Sequence, residues 1–247
     1  MNLTQMSVPA PGAVNDDYVL TSSWYCIVLD GATANGLPTG CVHDVAWYVA
    51  RLATHIAHRL DSRPDQPLQE ALRTGIADTC AAHAHTCDLT LPDSPSSTVS
   101  ITRLRDGRID YLVLTDSPVV FEDHTAQISI VVDDRVDRLP AFDRETLSRY
   151  RNTADGFWIA STRPEAADHA LTGSKAVSDV RRFALLTDGI TRLVDYFGWS
   201  WRQLLDHLDD KGPQATVHAV RQAERAAAST GFATKTHDDA SVVLARL

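Results

Sequence analysis

Aspartates recur where apolar runs end or begin in this 247-residue chain: Asp16-Asp17 before Tyr18, Asp30 after Val28-Leu29, Asp116 after Leu112–Thr115, Asp188 after Ala184–Thr187, and Asp238-Asp239 before the final Ala240–Leu247. A carboxylate at the end of a strand sits on the rim of a sheet, where a rigid backbone can hold several together. Converging carboxylates repel one another unless a cation neutralises them, and hard divalent ions favour such oxygen ligands. Each Asp taken singly can be a turn former, and Asp30-Gly31 and Asp188-Gly189 are good ones. The ordered set points instead to a metal centre.

The elements that must position these residues can be read from hydropathy. Tyr18–Thr21 and Trp24–Leu29 read as strands, the second apolar on both faces and therefore buried. A loop of small residues, Ala32 to Gly40, follows. Helices are expected from about Val42 to Leu60, where Val45, Tyr48, Val49, Leu52 and Ile56 recur three and four apart, and from about Pro67 to Cys87. Ser97–Arg105 and Ile109–Thr115 flank Asp106-Gly107, a two-residue hairpin signal. Val119–Glu122 and Gln127–Val132 continue the strands. Helical patterns return between about Arg144 and Leu171. Phe183–Thr187 is a further strand, helices follow near Trp199–Leu208 and Gln214–Ala228, and Ala240–Ala245 is the last strand. Strands in meanders and helices in consecutive pairs predict an α+β layering, sheets inside and helices outside, in a single domain over 1–247.

Composition narrows the function classes. The chain is 44% apolar and 22% charged, an ordinary globular balance, with no apolar stretch near the ~20 residues of a membrane helix. The start, MNLTQMSVPAPGAV, has no basic-then-apolar pattern of a secretory signal, so a cytoplasmic location is expected. A net charge of −9 without a run of Lys or Arg argues against nucleic-acid binding. Cys26, Cys41, Cys80 and Cys87 are expected as free thiols.

Six segments, in order, resemble the motifs of the type 2C metal-dependent protein phosphatases: Asn15-Asp16-Asp17, Val28-Leu29-Asp30-Gly31, Ser96-Ser97-Thr98-Val99, Thr115-Asp116-Ser117, Leu186-Thr187-Asp188-Gly189-Ile190 and Asp238-Asp239-Ala240-Ser241. Together they span roughly residues 15 to 247. The resemblance implies a four-layer α-β-β-α sandwich, with two central antiparallel sheets flanked by helical pairs and Mn2+ or Mg2+ ions in a cleft at one end. It implies that Asp30 bridges two ions and that the Gly31 carbonyl binds one of them. By the same resemblance Asp188 and Asp238 would complete the first ion's ligands, and Asp16 stands where the family has a Glu. Asp116 and Asp188 would hold a third, weaker ion, while Asp17 and Asp239 would support the ligands by hydrogen bonding. It also implies that a flap at about 133–172 lies beside the cleft. The implied activity is hydrolysis of a phosphate monoester, on a phosphoprotein or a small molecule, by a metal-bridging water. Asp30 and Asp188 would act through that water, and no side-chain nucleophile is needed.

Three departures from the family pattern stand out. Gly12 stands where an Arg grips the substrate phosphate, Ala32 (in Ala32-Thr33-Ala34-Asn35-Gly36) where a His is usual, and Thr115 and Pro118 replace a Gly and an Arg. Arg163, Arg192 or another basic residue is then expected to hold the phosphate. The alternative is a degenerate, non-catalytic module that binds metal and a partner protein. Cys80, His83, His85 and Cys87 could suggest zinc, but on one helix His85 points away from His83 and Cys87, so helix packing is expected. His43, His55 and His58 are expected as solvated or satisfied side chains. The aromatic run Tyr196–Trp201 is expected in the core, and the charge-dense Asp133–Tyr150 at the surface.

Overall fold

The computed structural model describes residues 1–32, 38–228 and 236–247; the expected loop at Thr33–Leu37 lies outside them. In chain order the elements are β1 (Asn2–Val8), β2 (Tyr18–Thr21), β3 (Tyr25–Leu29), β4 (Gly31–Ala32), α1 (Val45–Ser62), α2 (Leu68–His83), β5 (Ser96–Ser97), β6 (Val99–Arg105), β7 (Arg108–Leu114), β8 (Val119–Glu122) and β9 (Ile128–Val131). They continue with α3 (Arg144–Tyr150), β10 (Leu171–Ala176), β11 (Arg182–Leu186), α4 (Asp188–Asp195), α5 (Trp201–Ala228) and β12 (Ala240–Arg246). One antiparallel sheet has the order β1-β12-β11-β8-β9, a second β10-β7-β6-β3-β2, and β4 pairs with β5.

Period-two burial makes four layers from these elements. In β3, Tyr25, Ile27 and Leu29 pack with α1 and α2, whereas Cys26 and Val28 face the other sheet. In β12, Ala240, Val242 and Leu244 pack with α4 and α5, and Val243 and Ala245 join the layer between the sheets. The sheets therefore stack face to face with one helical pair outside each, the α-β-β-α sandwich. Successive side chains of a strand point to opposite faces, so a wholly apolar strand is what a central layer requires. No helix among the described residues is long and apolar enough to cross a membrane.

Several elements differ from the sequence expectation. Strands β1 and β10 have no counterpart in the hydropathy pattern: NLTQMSV and LTGSKA carry little apolar periodicity, and pairing with β12 and β7 makes them strands. Between Arg144 and Leu171 only α3 is α-helical, and Pro164–His169 is a 3-10 segment. Within 133–172, Phe157–Ser161 is buried and Ala160 pairs with Ser97, so this part runs through the body of the domain. Asp133 is also buried rather than at the surface. The two helices expected after Trp199 are present, however, joined end to end in α5 across a break at Gly212 (φ +83) before Pro213. Phe197, Trp199 and Trp201 pack against the α4–α5 core, while Tyr196 is 52% exposed.

Candidate metal centre

Register brings the aspartates to one end of the sandwich. Tyr18 pairs with Leu29, which sets Asp17 beside Asp30. Leu186 pairs with Val242, and Thr187 N–H donates to the Ser241 carbonyl at 3.0 Å, which sets Asp188 beside Asp238-Asp239. Val99 pairs with Leu114, which brings Thr98 next to the Thr115-Asp116 turn. Because these neighbours are antiparallel, one strand's end lies by the next strand's start, and every motif falls on the same rim.

Asp30 is the centre of the group. Burial drives its carboxyl well above the usual carboxylate range, and the neighbouring charges of Asp188, Asp17, Asp116 and Asp238 push it further. The Asp188 N–H donates to Asp30 Oδ2 at 3.3 Å. The backbone of Asp30 is clamped by the Ser96-Ser97-Thr98 segment: its N–H donates to Thr98 Oγ1 (3.2 Å), and its carbonyl accepts from Thr98 N–H (2.9 Å) and Ser97 Oγ (3.0 Å). Thr98 Oγ1 in turn lies 2.6 Å from Ser117 Oγ.

Asp17, 4% exposed, is raised from 3.8 to about 8, chiefly by burial and against hydrogen bonds from Ser241 and Thr187. Thr187 Oγ1 donates to Asp17 Oδ2 at 2.9 Å, a bond that crosses from one sheet to the other. Asp116 is raised to about 6, first by burial, with Asp137, Asp133 and Asp195 adding repulsion. Asp239 turns away from the cleft: its two oxygens accept the N–H groups of Ala10 and Asp16, each at 2.7 Å, and so hold the segment that carries Asp16 and Asp17. Both Asp-Gly pairs need their glycine. A Cβ on Gly31 would meet the Asp16 carbonyl oxygen at 2.3 Å, and one on Gly189 would meet the Asp239 carbonyl oxygen at 1.7 Å.

Thr115 has φ +71, which a β-branched residue seldom adopts, and its neighbours impose it. Its N–H donates to buried Asp133 at 3.1 Å, its Oγ1 donates to the Trp158 carbonyl at 2.8 Å, and Arg135 forks onto Asp133. Sequence reading missed Asp133, Ser117 and Thr187 as supports of the site; a lone Asp and two hydroxyls carry no signal beyond lying next to a motif.

The basic candidates are placed differently. Arg192 lies behind Asp238, its Nη1 at 3.9 Å from Asp238 Oδ2 and its Nε at 3.4 Å from Glu224. Arg163 donates to the Asn152 carbonyl and opens the 3-10 segment over α2. Gly12 is exposed in the loop held by Asp239. Beside the aspartates a cavity of about 360 Å³ is lined by Asp116, Asp188, Asp137, Asp195, Tyr196 and Trp201 among others, with no Lys or Arg among the described residues. A half-buried carboxyl within range of four other carboxylate charges is a costly arrangement without a counter-charge, and oxygen-only donors suit Mg2+ or Mn2+. The residues present fit such ions.

The sequence profile of protein phosphatase 2C matches residues 7–222, a span that holds Asp16, Asp17, Asp30, Asp116 and Asp188 and stops before Asp238. The comparison with curated proteins gave no match. Among solved structures, the Mycobacterium tuberculosis serine/threonine phosphatase PstP/Ppp superposes with a TM-score of 0.64 at 14% identity, over 100% of this chain and 98% of that one. The PstP catalytic domain in complex with 2 manganese ions gives 0.58 at 16% identity, over 99% and 97%. PppA, a regulatory component of type VI secretion in Pseudomonas aeruginosa, gives 0.62 at 18% identity, over 99% and 96%. With most of its length matched by that profile and its layers shared with these bacterial phosphatases, the chain belongs to the protein phosphatase 2C family.

Proposed function

We propose that this chain is a divalent-cation-dependent phosphatase that hydrolyses a phosphate monoester on a phosphoprotein, using two Mn2+ or Mg2+ ions and a third, weaker one. The observation that carries the reading is the half-buried Asp30 carboxyl, with Asp188, Asp17, Asp116 and Asp238 near enough for their charges to raise it. Asp30, the Gly31 carbonyl, Asp188 and Asp238 would hold the ions, joined by Asp16 and, for the third, Asp116. Bound ions would lower the pKa of a water toward neutrality and offset charge on the phosphoryl oxygens. The chain's own residues supply position. Ser97 and Thr98 fix the Asp30 backbone, Thr187 orients Asp17, and Asp239 holds the Asp16 segment against Gly31. The acidic cavity disfavours a bare phosphate and favours basic residues flanking a phosphorylated site on a protein over a small anionic metabolite.

The test is phosphate release from aryl phosphates, phosphopeptides with and without flanking Lys or Arg, and sugar phosphates, with and without Mn2+. Turnover should depend on the ion and fall at least ~100-fold in Asp30→Asn and in Asp188→Asn, since ~3 kcal/mol of transition-state stabilisation is a factor of about 100. Manganese binding with no turnover on any of these substrates would sink the reading. It would favour a second one, a non-catalytic module that binds metal and a partner. The lack of basic residues among the described lining of the cavity, with exposed Tyr196 on its wall, points that way. In that case Tyr196→Ala, and not Asp30→Asn, would abolish partner binding.

A further inference from the structure

A second group of metal-binding side chains comes from other elements. Cys41 lies in the stretch that leads into α1, His83 is the last residue of α2, and Cys87 follows four residues on. Their ligand atoms all lie within 4.8 Å of one another, and no other set of three or more His, Cys, Asp or Glu does so among the described residues. The two Sγ atoms are 2.6 Å apart, so to share one tetrahedral zinc, with Zn–S of about 2.3 Å and the sulfurs then about 3.7 Å apart, they must part by about 1 Å. Cys80 and His85, which the sequence puts in the same run, are not members: Cys80 faces the Ser161 carbonyl, and His85 is exposed.

The backbone is built to hold this group. The Asp88 N–H donates to the Gly40 carbonyl at 2.8 Å, so the residues flanking Cys41 and Cys87 are already bonded to each other. The N–H groups of Thr86 and Cys87 both return to the His83 carbonyl, at 3.0 and 3.1 Å, closing a tight turn that folds Cys87 back toward the ring. His83 is 1% exposed, and its Nδ1 lies 2.6 Å from the Thr79 carbonyl. A carbonyl can only accept, so Nδ1 carries the proton and Nε2 keeps its lone pair. This is the tautomer fixed for a metal-ligating imidazole, with the other nitrogen donating to a backbone oxygen. Trp47 and His43 wall the group, with ring centroids 5.2 and 6.1 Å from that of His83.

Ligand chemistry selects the ion. Two sulfurs and one imidazole nitrogen suit zinc at a tetrahedral site, whereas Mg2+ and Mn2+ favour the all-oxygen cleft. We propose that Cys41, His83 and Cys87 bind a zinc ion that staples the chain entering α1 to the end of α2. Binding releases the two thiol protons to solvent, the thiolates balance the ion's charge, and no oxidation is involved. The fourth position goes to water, because both cysteines are only half buried. The staple lies four residues before Val45, whose Cγ1 packs against Gly31, and so it restrains the element that covers the Asp30-Gly31 turn.

Cobalt(II) replacing zinc in the reduced, full-length protein tests this, because sulfur-to-cobalt charge-transfer absorption arises only from thiolate ligands and not from the carboxylate cleft. One equivalent should give the band, and zinc should bleach it. It should persist in Cys80→Ser and Asp30→Asn, and vanish in the Cys41→Ser/Cys87→Ser double variant. The signal of the unaltered protein decides the matter even where a variant folds poorly. No band in reduced protein at one equivalent, or a band surviving the double substitution, overturns the proposal. So does a Cys41–Cys87 disulfide found by non-reducing mass spectrometry in protein purified without chelator or added oxidant.

Discussion

Replacing Asp17 by Asn should stabilise the metal-free protein while weakening its hold on manganese. Asp17 is 4% exposed and raised from 3.8 to about 8, chiefly by burial. An acid whose folded pKa lies above its unfolded value binds more protons when folded. Its contribution to stability is therefore complete below pH 3.8 and is lost as the pH rises toward 8. At pH 7 the carboxyl has crossed about 3 pH units of that window, which at ~1.36 kcal/mol per unit costs at most about 4 kcal/mol. Asparagine carries no charge to desolvate, its Oδ1 can still accept from Thr187 Oγ1, and its amide can donate to the surrounding carboxylates. At roughly 2–4 °C per kcal/mol for a domain of this size, the melting temperature at pH 7 should rise by up to roughly 16 °C. The assay is thermal unfolding in EDTA from about pH 5 to about pH 8, followed by manganese titration. The unaltered protein should lose stability across that range, and Asp17→Asn should lose much less. Manganese should raise the melting temperature of the unaltered protein more than that of the variant. A metal-free melting temperature that is flat or rises toward pH 8, or a variant that falls in parallel with its parent, would refute the reasoning.

Two further substitutions probe the supports of the site and of the fold. Gly189→Ala puts a Cβ 1.7 Å from the Asp239 carbonyl oxygen, so α4 and β12 must separate. The expected cost is about 3 kcal/mol or more, and calorimetric manganese affinity should fall with it because Asp239 holds the Asp16 segment. Glu122→Ala leaves the buried Arg182 guanidinium without the carboxylate bonded to its Nε at 2.6 Å. Asp206 and Asp209 remain as partners, and the urea midpoint should report a loss of about 3–5 kcal/mol with manganese affinity unchanged.

Much of the site is legible in the amino-acid sequence, because strand ends and turn chemistry are local. The apolar run of β3 announces a strand buried on both sides, and Asp106-Gly107, with φ +49 and +69, closes the β6–β7 hairpin at the expected place. The order of the six motifs carries the family, and with it the layers. Strands β1 and β10 are not legible, since their sequences lack a periodic apolar face and only pairing with β12 and β7 makes them strands.

What tertiary structure alone decided was which local signals meet. The sequence by itself determined that Asp30, Asp188 and Asp238 stand at strand ends, since hydropathy period and Asp-Gly turns are properties of neighbouring residues. It did not determine that Thr187 bonds Asp17 across two sheets, that Asp133 holds Thr115 at positive φ, or that Cys41 joins His83 and Cys87. Those pairs are separated by 170, 18 and up to 46 residues, respectively. Their meeting is set by strand register and the stacking of sheets on helices, which the packing of the whole core fixes and no single segment encodes.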